Sequence, residues 1–324
     1  MIYFIVNPKA ASGKALKIWH SLERMLQERH ADYQVFMTEH CSHASELAGT
    51  LARLSADAER DEKHKRCGAE DIVAVLGGDG TLNEVVQGMS ADFPIPIAYI
   101  PAGSGNDFSR GMGLPADFRE ALNHILKTER TVRMLDCGTA VFRGSDDRQS
   151  MTRRFVVSSG AGYDAAVCTR LFHSKLKKLC NMLRIGKLSY VGVGAAQILA
   201  HRRGSGKLCL DDGRVIPLDK LSFLSAHILP YEGGGFCFAP EADPEDGMLT
   251  FCVVSDISRL RFAVALIQTM IGIGGTPAGM SWYQCRGGEV ILNRELPVHA
   301  DGEVYGDVRR IRFSCEHRKI PFIC

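Results

Sequence analysis

Eight consecutive residues, Gly77-Gly78-Asp79-Gly80-Thr81-Leu82-Asn83-Glu84, limit what this chain can fold into more than any others. They follow directly on Ile72 to Leu76, a continuous apolar run of the kind that forms a strand buried on both faces of a parallel sheet. Three glycines in four positions let the backbone approach a ligand closely and reach left-handed conformations. Thr81-x-x-Glu84 has the spacing of a capping box, which predicts a helix starting here. A helix N-terminus with free N–H groups is a phosphate site. A carboxylate in such a loop, Asp79, would need a metal ion between itself and bound phosphates. The alternative, a tight βα turn with no ligand, needs one glycine rather than three.

The surrounding pattern suits that reading. Ile2 to Val6 reads as a strand, Ala15 to Arg29 has helical apolar spacing, and Tyr33 to Met37 is strand-like. Ala44 to Leu54 reads as a helix, Leu82 to Met89 as another, and Ile95 to Ile100 as a strand. Such alternation predicts a doubly wound α/β domain with a parallel sheet. After about Leu135 short strand-like runs take over: Phe155 to Ser158, Leu208 to Leu210, Leu221 to Ile228, Met248 to Val254, Glu289 to Leu292 and Val308 to Phe313. Asp212-Gly213, Asp246-Gly247 and Asp301-Gly302 mark turns between them. These predict an all-β domain, a sandwich, with a hairpin tip at Asp211 to Val215. Ala56 to Ala69 and Arg143 to Arg153 read as mobile loops, and Phe262 to Met280 as a core helix followed by a loop.

Open α/β sheets bind ligands at the carboxyl ends of their strands. Two more strand ends carry unusual loops. Pro101-Ala102-Gly103-Ser104-Gly105-Asn106-Asp107-Phe108 offers a hydroxyl at Ser104, and Asn106 or Asp107 can cap a short helix. Asn7-Pro8-Lys9-Ala10-Ala11-Ser12-Gly13-Lys14 resembles a phosphate loop but lacks the Walker A spacing. None of the three loops has the G-x-G-x-x-G pattern of dinucleotide-binding dehydrogenases. A net charge of +2 excludes a global nucleic-acid signal. The 11 cysteines include no C-x-x-C pair, which argues against a zinc ribbon, and the N-terminus lacks the pattern of a signal peptide. Free thiols and a cytoplasmic location follow as expectations, with no membrane-spanning run.

These residues resemble the diacylglycerol kinase catalytic family, which includes bacterial soluble lipid kinases and sphingosine kinases. Asn7-Pro8 with Ser12-Gly13 matches the opening motif, and Thr38 followed by His43-Ala44 matches the next stretch. Gly77 to Asn83 matches G-G-D-G-T-[LI]-N throughout. Gly103 to Phe108 matches G-T-x-N-D-F, with Ser104 keeping the hydroxyl of the usual threonine. Leu135-Asp136-Cys137-Gly138, Gly160-Ala161-Gly162-Tyr163-Asp164 and Gly233-Gly234-Gly235 also fit. Pro240-Glu241-Ala242 with Asp246-Gly247, and Asp301-Gly302-Glu303, complete the order across nearly the whole chain.

The resemblance implies a two-domain lipid kinase. The α/β domain, residues 1–134 with 310–324, would bind ATP through Asn7, Ser12, Gly13, Thr38, Gly77, Gly78, Asp79, Gly80, Thr81, Leu82, Asn83, Ser104, Asn106 and Asp107. The sandwich, residues 135–309, would face the lipid across a cleft. Asp301 would be the general base, with Glu303 beside it in the metal network. Mg²⁺ would be held through water by Asp79, Asp107 and Asp136, and a second, structural magnesium by Asp243, Asp246 and the carbonyl of Met248. Diacylglycerol is the expected acceptor. A sphingoid base, another lipid alcohol, or NAD (as in NAD kinases, which share the G-G-D-G-T loop) are the alternatives, and a silent lipid or nucleotide sensor is a third class. Residues 165–210 hold nine Lys or Arg and no Asp or Glu, interleaved with apolar residues. That composition suits either peripheral contact with an anionic bilayer or a solvated helix face. A homodimer is left open.

Overall fold

Five of the first unit's strands are held in register, so that their loops leave one edge together. The computed structural model describes residues 1–60, 71–89, 95–127, 129–144, 150–173, 194, 196–271, 277 and 279–324. The chain forms two units, Met1–Asp136 with Arg318–Cys324, and Cys137–His317. In the first, β1 (Ile2–Val6), α1 (Ala10–Glu28), β2 (Tyr33–Met37), α2 (His43–Arg60), β3 (Ile72–Gly77), α3 (Asp79–Gly88) and β4 (Ile97–Pro101) alternate as the periodicity predicts, and α4 (Asp107–Gly111) and α5 (Phe118–Ile125), the latter not expected, follow. Val6 lies opposite Met37 and Leu76, and Gly77 opposite Pro101, in parallel pairs. The last stretch of the chain pairs in parallel with β4 through Phe322 and Ile97. Phe4, Leu76, Ile100, Leu122 and Ile323 share one core with Trp19, whose ring meets Phe4 edge-on at 5.1 Å.

Three local expectations change. The helix at the glycine loop begins at Asp79 with Gly78 as its cap, and no side chain caps it. The capping box does not form, because the helix starts three residues earlier than its spacing requires and Thr81 already lies inside it. Residues 56–60 continue α2, whereas the remainder of that expected loop, 61–69, lies outside the described residues, as do 145–149. The expected strand Phe155 to Ser158 is broken after Phe155.

In the second unit, β5 (Val132–Arg143), which crosses the boundary, pairs antiparallel with β6 (Ser150–Phe155). Then come β7 (Ser158–Gly162), α6 (Tyr163–His173), β8 (Gly204–Leu210), β9 (Val215–Leu221), β10 (Phe223–His227), β11 (Tyr231–Glu232), β12 (Phe236–Cys237) and β13 (Leu249–Val254). α7 (Arg259–Ile271), β14 (Met280–Cys285), β15 (Gly287–Ala300) and β16 (Glu303–Ile323) follow. β16 carries the chain back into the first unit from Arg318 on. One antiparallel layer runs β14, β13, β10, β7, β15. β15 pairs with β8 through Gly288 to Leu292 and with β7 through Val298 to Ala300, so a single strand serves both layers. The β8–β9 connection is the expected hairpin tip. α7 buries Phe262, Ala265, Leu266 and Thr269, while its other face is exposed, so it is not the core helix that its composition suggests. All nine cysteines among the described residues are free. Among those residues no helix is long and apolar enough to cross a membrane.

His201 packs edge-on against Tyr163 beside Phe262, and its Nδ1–H donates to the Gln197 carbonyl at 2.8 Å. Burial, joined by the charges of Arg203 and Arg259, holds the imidazole below the usual histidine range, against the pull of that carbonyl. Below the ordinary histidine value, about 6.5, the unfolded chain takes up a proton that the folded ring refuses. Stability is therefore full above that pH and falls as pH drops towards the depressed folded value. Urea midpoints at about pH 7.5 and about pH 5.5 should show a smaller acid loss in His201→Gln than in wild type. Equal losses would contradict the assignment.

Candidate functional site

The three loops of the first unit are tied to one another at the carboxyl edge of its sheet. Ala11, Ser12 and Gly13 are all left-handed, with φ of 46°, 58° and 88°. Left-handed backbone costs roughly 1–2 kcal/mol at a non-glycine residue. Such strain persists where surrounding structure imposes it, often at a ligand site. Asn7 Nδ2 donates to Thr81 Oγ1 at 3.0 Å, and Asn7 Oδ1 accepts the Lys9 N–H at 3.1 Å. Lys9 Nζ reaches the Glu39 carbonyl at 2.9 Å. Thr38, buried, donates its N–H to the Val6 carbonyl at 2.8 Å. Glu84 accepts the Ser42 N–H at 3.0 Å.

The second and third glycine loops meet backbone to backbone. A Cβ on Gly103 would lie 2.6 Å from the Gly78 Cα and 2.8 Å from Asn106 Oδ1, so no larger residue fits. Asn106, left-handed itself, accepts the Gly103 N–H at 2.8 Å instead of capping α4. Asp79 closes the arrangement: its carboxylate accepts the N–H groups of Asp107 at 3.1 Å and Phe108 at 3.2 Å. Removal from solvent raises its pKa, against the two amides that lower it. Leu82 and Asn83 are buried in the first turns of α3, whereas Ser104 is exposed at the loop tip. The N-termini of α1 and α3 carry no side-chain cap, so both can present N–H groups to phosphates.

Two of the aspartates expected to hold magnesium through water also accept backbone amides. Asp79 turns its oxygens onto backbone amides, and Asp136, buried, accepts the Arg318 N–H at 2.7 Å, pinning the returning strand. Among the described residues no group of three metal-ligating side chains includes Asp79, Asp107 or Asp136. Buried carboxylates must be matched by donors, and here the donors are peptide groups.

In the second unit Asp301 and Gly302, with φ of 46° and 83°, form the two-residue turn between β15 and β16. The break after β6 turns three consecutive amides inward. Val157 and Ser158 donate to Asp301 Oδ1 at 2.9 and 3.0 Å, and Val156 to Oδ2 at 2.9 Å. Asp301 returns its own N–H to the Ser158 carbonyl at 2.8 Å. Glu303, exposed, opens β16. Asp243 and Asp246, also exposed, accept the N–H groups of Glu245 at 3.0 Å and Met248 at 2.8 Å, closing two short turns.

Behind the Asp301 turn lies a cluster that the sequence reading missed apart from Asp164. His299 Nε2 is 2.9 Å from Asp164 Oδ2 and 3.2 Å from Glu232 Oε1, all of them buried. The two carboxylates favour a second proton on the ring. That proton would sit on Nδ1, where the Gly302 N–H already donates at 3.3 Å. Burial lowers the imidazole pKa, but Asp164 and Glu232 outweigh it and hold His299 well above the usual histidine range, while burial raises the Asp164 carboxyl. The available signal was a His and a Glu inside otherwise apolar runs, Val298-His299-Ala300 and Tyr231-Glu232.

Comparison with known proteins follows the same division. The diacylglycerol kinase catalytic domain family matches residues 1–140, and the YegS C-terminal NAD kinase beta sandwich-like domain matches residues 156–319. The chain belongs to the diacylglycerol kinase family of lipid kinases. It is 27% identical over 311 residues to the Bacillus subtilis protein named "Putative lipid kinase YtlR", covering 94% of this chain and 93% of that one. It is 27% identical over 321 residues to a Bacillus subtilis diacylglycerol kinase, covering 98% and 94%. In fold it is similar to a diacylglycerol kinase structure from Bacillus anthracis, with a TM-score of 0.67 at 20% identity over 99% of this chain and 96% of that one. It is also similar to yeast NADH kinase complexed with NADH, with a TM-score of 0.54 at 11% identity over 100% and 82%. Family membership makes this lipid kinase an enzyme that uses ATP.

The amide cradle around Asp301 predicts a stability effect separate from catalysis. In Asp301→Asn one acceptor oxygen remains, and an NH2 group faces one of the three N–H donors. An unsatisfied buried amide costs about 1–3 kcal/mol. Denaturant unfolding of the variant should show a loss of that size, and an unchanged midpoint would contradict the cradle.

Proposed function

We propose that this lipid kinase transfers the γ-phosphoryl group of ATP to the free hydroxyl of diacylglycerol, giving phosphatidic acid, with Asp301 as the general base. The observation that carries this reading is the immobilised Asp301 carboxylate on a two-residue turn that matches the family's Asp-Gly-Glu motif. A primary alcohol is a poor nucleophile at neutral pH, and a fixed carboxylate within hydrogen-bond reach orients its O–H and takes the proton. The transition state of phosphoryl transfer is loose, so positioning and charge neutralisation do most of the work. On this reading the left-handed run at Ala11 to Gly13 and the uncapped start of α3 receive the ATP phosphates. Asn7, Thr38, Thr81, Ser104, Asn106 and Asp107 line or brace the loops that surround them.

Asp79 and Asp136 brace their loops, and with Asp107 they would hold Mg²⁺ through water. For the structural magnesium, Asp243, Asp246 and the Met248 carbonyl form an all-oxygen donor set on adjacent turns, which fits a hard cation. Mg²⁺ bound with ATP would supply charge neutralisation at the phosphates. Glu303, two residues beyond the base, belongs to the same charged surroundings. The basic segment proposed for bilayer contact lies outside the described residues at 174–193 and 195.

The acceptor can be tested by offering labelled ATP and Mg²⁺ with diacylglycerol micelles, sphingosine micelles or NAD. The expected product is labelled phosphatidic acid. Labelled NADP would overturn the lipid acceptor, and label on sphingosine alone would replace diacylglycerol with a sphingoid base.

A further inference from the structure

Helix α7 is apolar on two opposite faces, and among the described residues only one of them is covered. At about 100° per residue, Phe262, Ala265, Leu266 and Thr269 fall on the buried side. Leu260, Val264, Ile267 and Ile271 form a second stripe at i, i+4, i+7 and i+11, with Met270 beside it. Leu260 is 76% exposed, Ile267 53% and Ile271 55%. A continuous apolar stripe of this kind marks an interaction surface, because soluble proteins seldom leave one open.

Charge says what kind of surface would meet it. α7 has no acidic residue, and Arg259 and Arg261, both exposed, flank the stripe on either side. Arg202 is exposed close by in sequence to Arg203, and Arg203 Nη1 donates to the Ile257 carbonyl at 2.9 Å, at the foot of the helix. The other guanidinium nitrogens of Arg203, Nε and Nη2, are buried and have no partner among the described residues. Burial and the nearby Arg259 both weaken the hold of Arg203 on its proton, so this positive charge is not neutralised from within. The acidic side chain near this end, Asp256, is paired with Lys220 at 3.1 Å.

We propose that the exposed face of α7, with the arginines at its N-terminal end, is the surface by which this lipid kinase lies on an anionic bilayer. An apolar stripe bordered by arginines matches a helix lying in the plane of the interface, its apolar side among acyl chains and its guanidinium groups at the phosphates. The inference rests on the lipid-acceptor reading above, since an acceptor that stays in the bilayer must be reached there.

The test is co-sedimentation of the full chain with phosphatidylglycerol-containing vesicles and with pure phosphatidylcholine vesicles. The variants are Leu260→Glu with Ile267→Glu, and Arg259→Gln with Arg261→Gln. Wild type should sediment with the anionic vesicles. Each arginine removed should weaken that binding about five-fold, and the double apolar variant should abolish it. Turnover of a dissolved short-chain diacylglycerol should stay unchanged, since neither pair touches the reacting groups, and so should thermal unfolding above about pH 7.5, where His201 is neutral in both states. Vesicle binding that survives the apolar double variant would overturn the proposal. A wild-type dimer that the same variant turns into monomers, read by light scattering, would also overturn it and assign the face to a second copy. Vesicle binding lost as expected, with no phosphorylation of any lipid by wild type, would uphold the docking face and remove the acceptor reading instead.

Discussion

Peptide N–H groups left over where strands end must find acceptors, and in this protein two carboxylates supply them. Asp79 collects the amides that open α4, and Asp301 collects the three amides released where the chain breaks between β6 and β7. An unpaired buried amide is costly enough that each carboxylate fixes the path of a loop that would otherwise be free. In the first unit this draws two glycine loops together until Gly78 and Gly103 touch backbone to backbone. In the second it holds a left-handed aspartate at the tip of a hairpin.

The same constraint prepares both halves of a kinase. Parallel register brings the loops after β1, β3 and β4 to one edge, where uncapped helix starts and a left-handed run offer N–H groups instead of side chains. Donors aimed in advance need little reorganisation when a ligand binds. Around Asp301 the support continues inward. His299 accepts the Gly302 N–H, and its other nitrogen is held by Asp164 and Glu232, so the turn carrying Asp301 is braced from both sides.

Much of the fold was legible because its signals are local. The alternation of strand and helix, the glycine loops, the Asp-Gly turns and the change to short strands after Leu135 can each be read within a dozen residues. What could not be read is what depends on distant partners. Thr81 and Glu84 have the spacing of a cap, yet the helix starts before them and their side chains bond to Asn7 and Ser42. No sequence signal announces that Asp107 and Phe108 turn their amides towards Asp79. The cradle of Asp301 joins residues up to 145 positions apart, and the strand that seemed to run through Val156 and Val157 had to break to build it. α7 was taken for a core helix on composition, although the spacing of Leu260, Val264, Ile267 and Ile271 already separates its two faces.

The central claim is that Asp301 serves the chemical step and not only the fold. The measurement that tests it most directly is steady-state kinetics of Asp301→Ala on diacylglycerol, run at a temperature where circular dichroism shows the variant folded, together with its affinity for ATP by calorimetry. The account predicts a fall in kcat of about 10²–10⁴ with ATP binding retained, because ATP is held by the other unit. A folded variant whose kcat stays near that of wild type would contradict it and leave Asp301 as a structural tie alone.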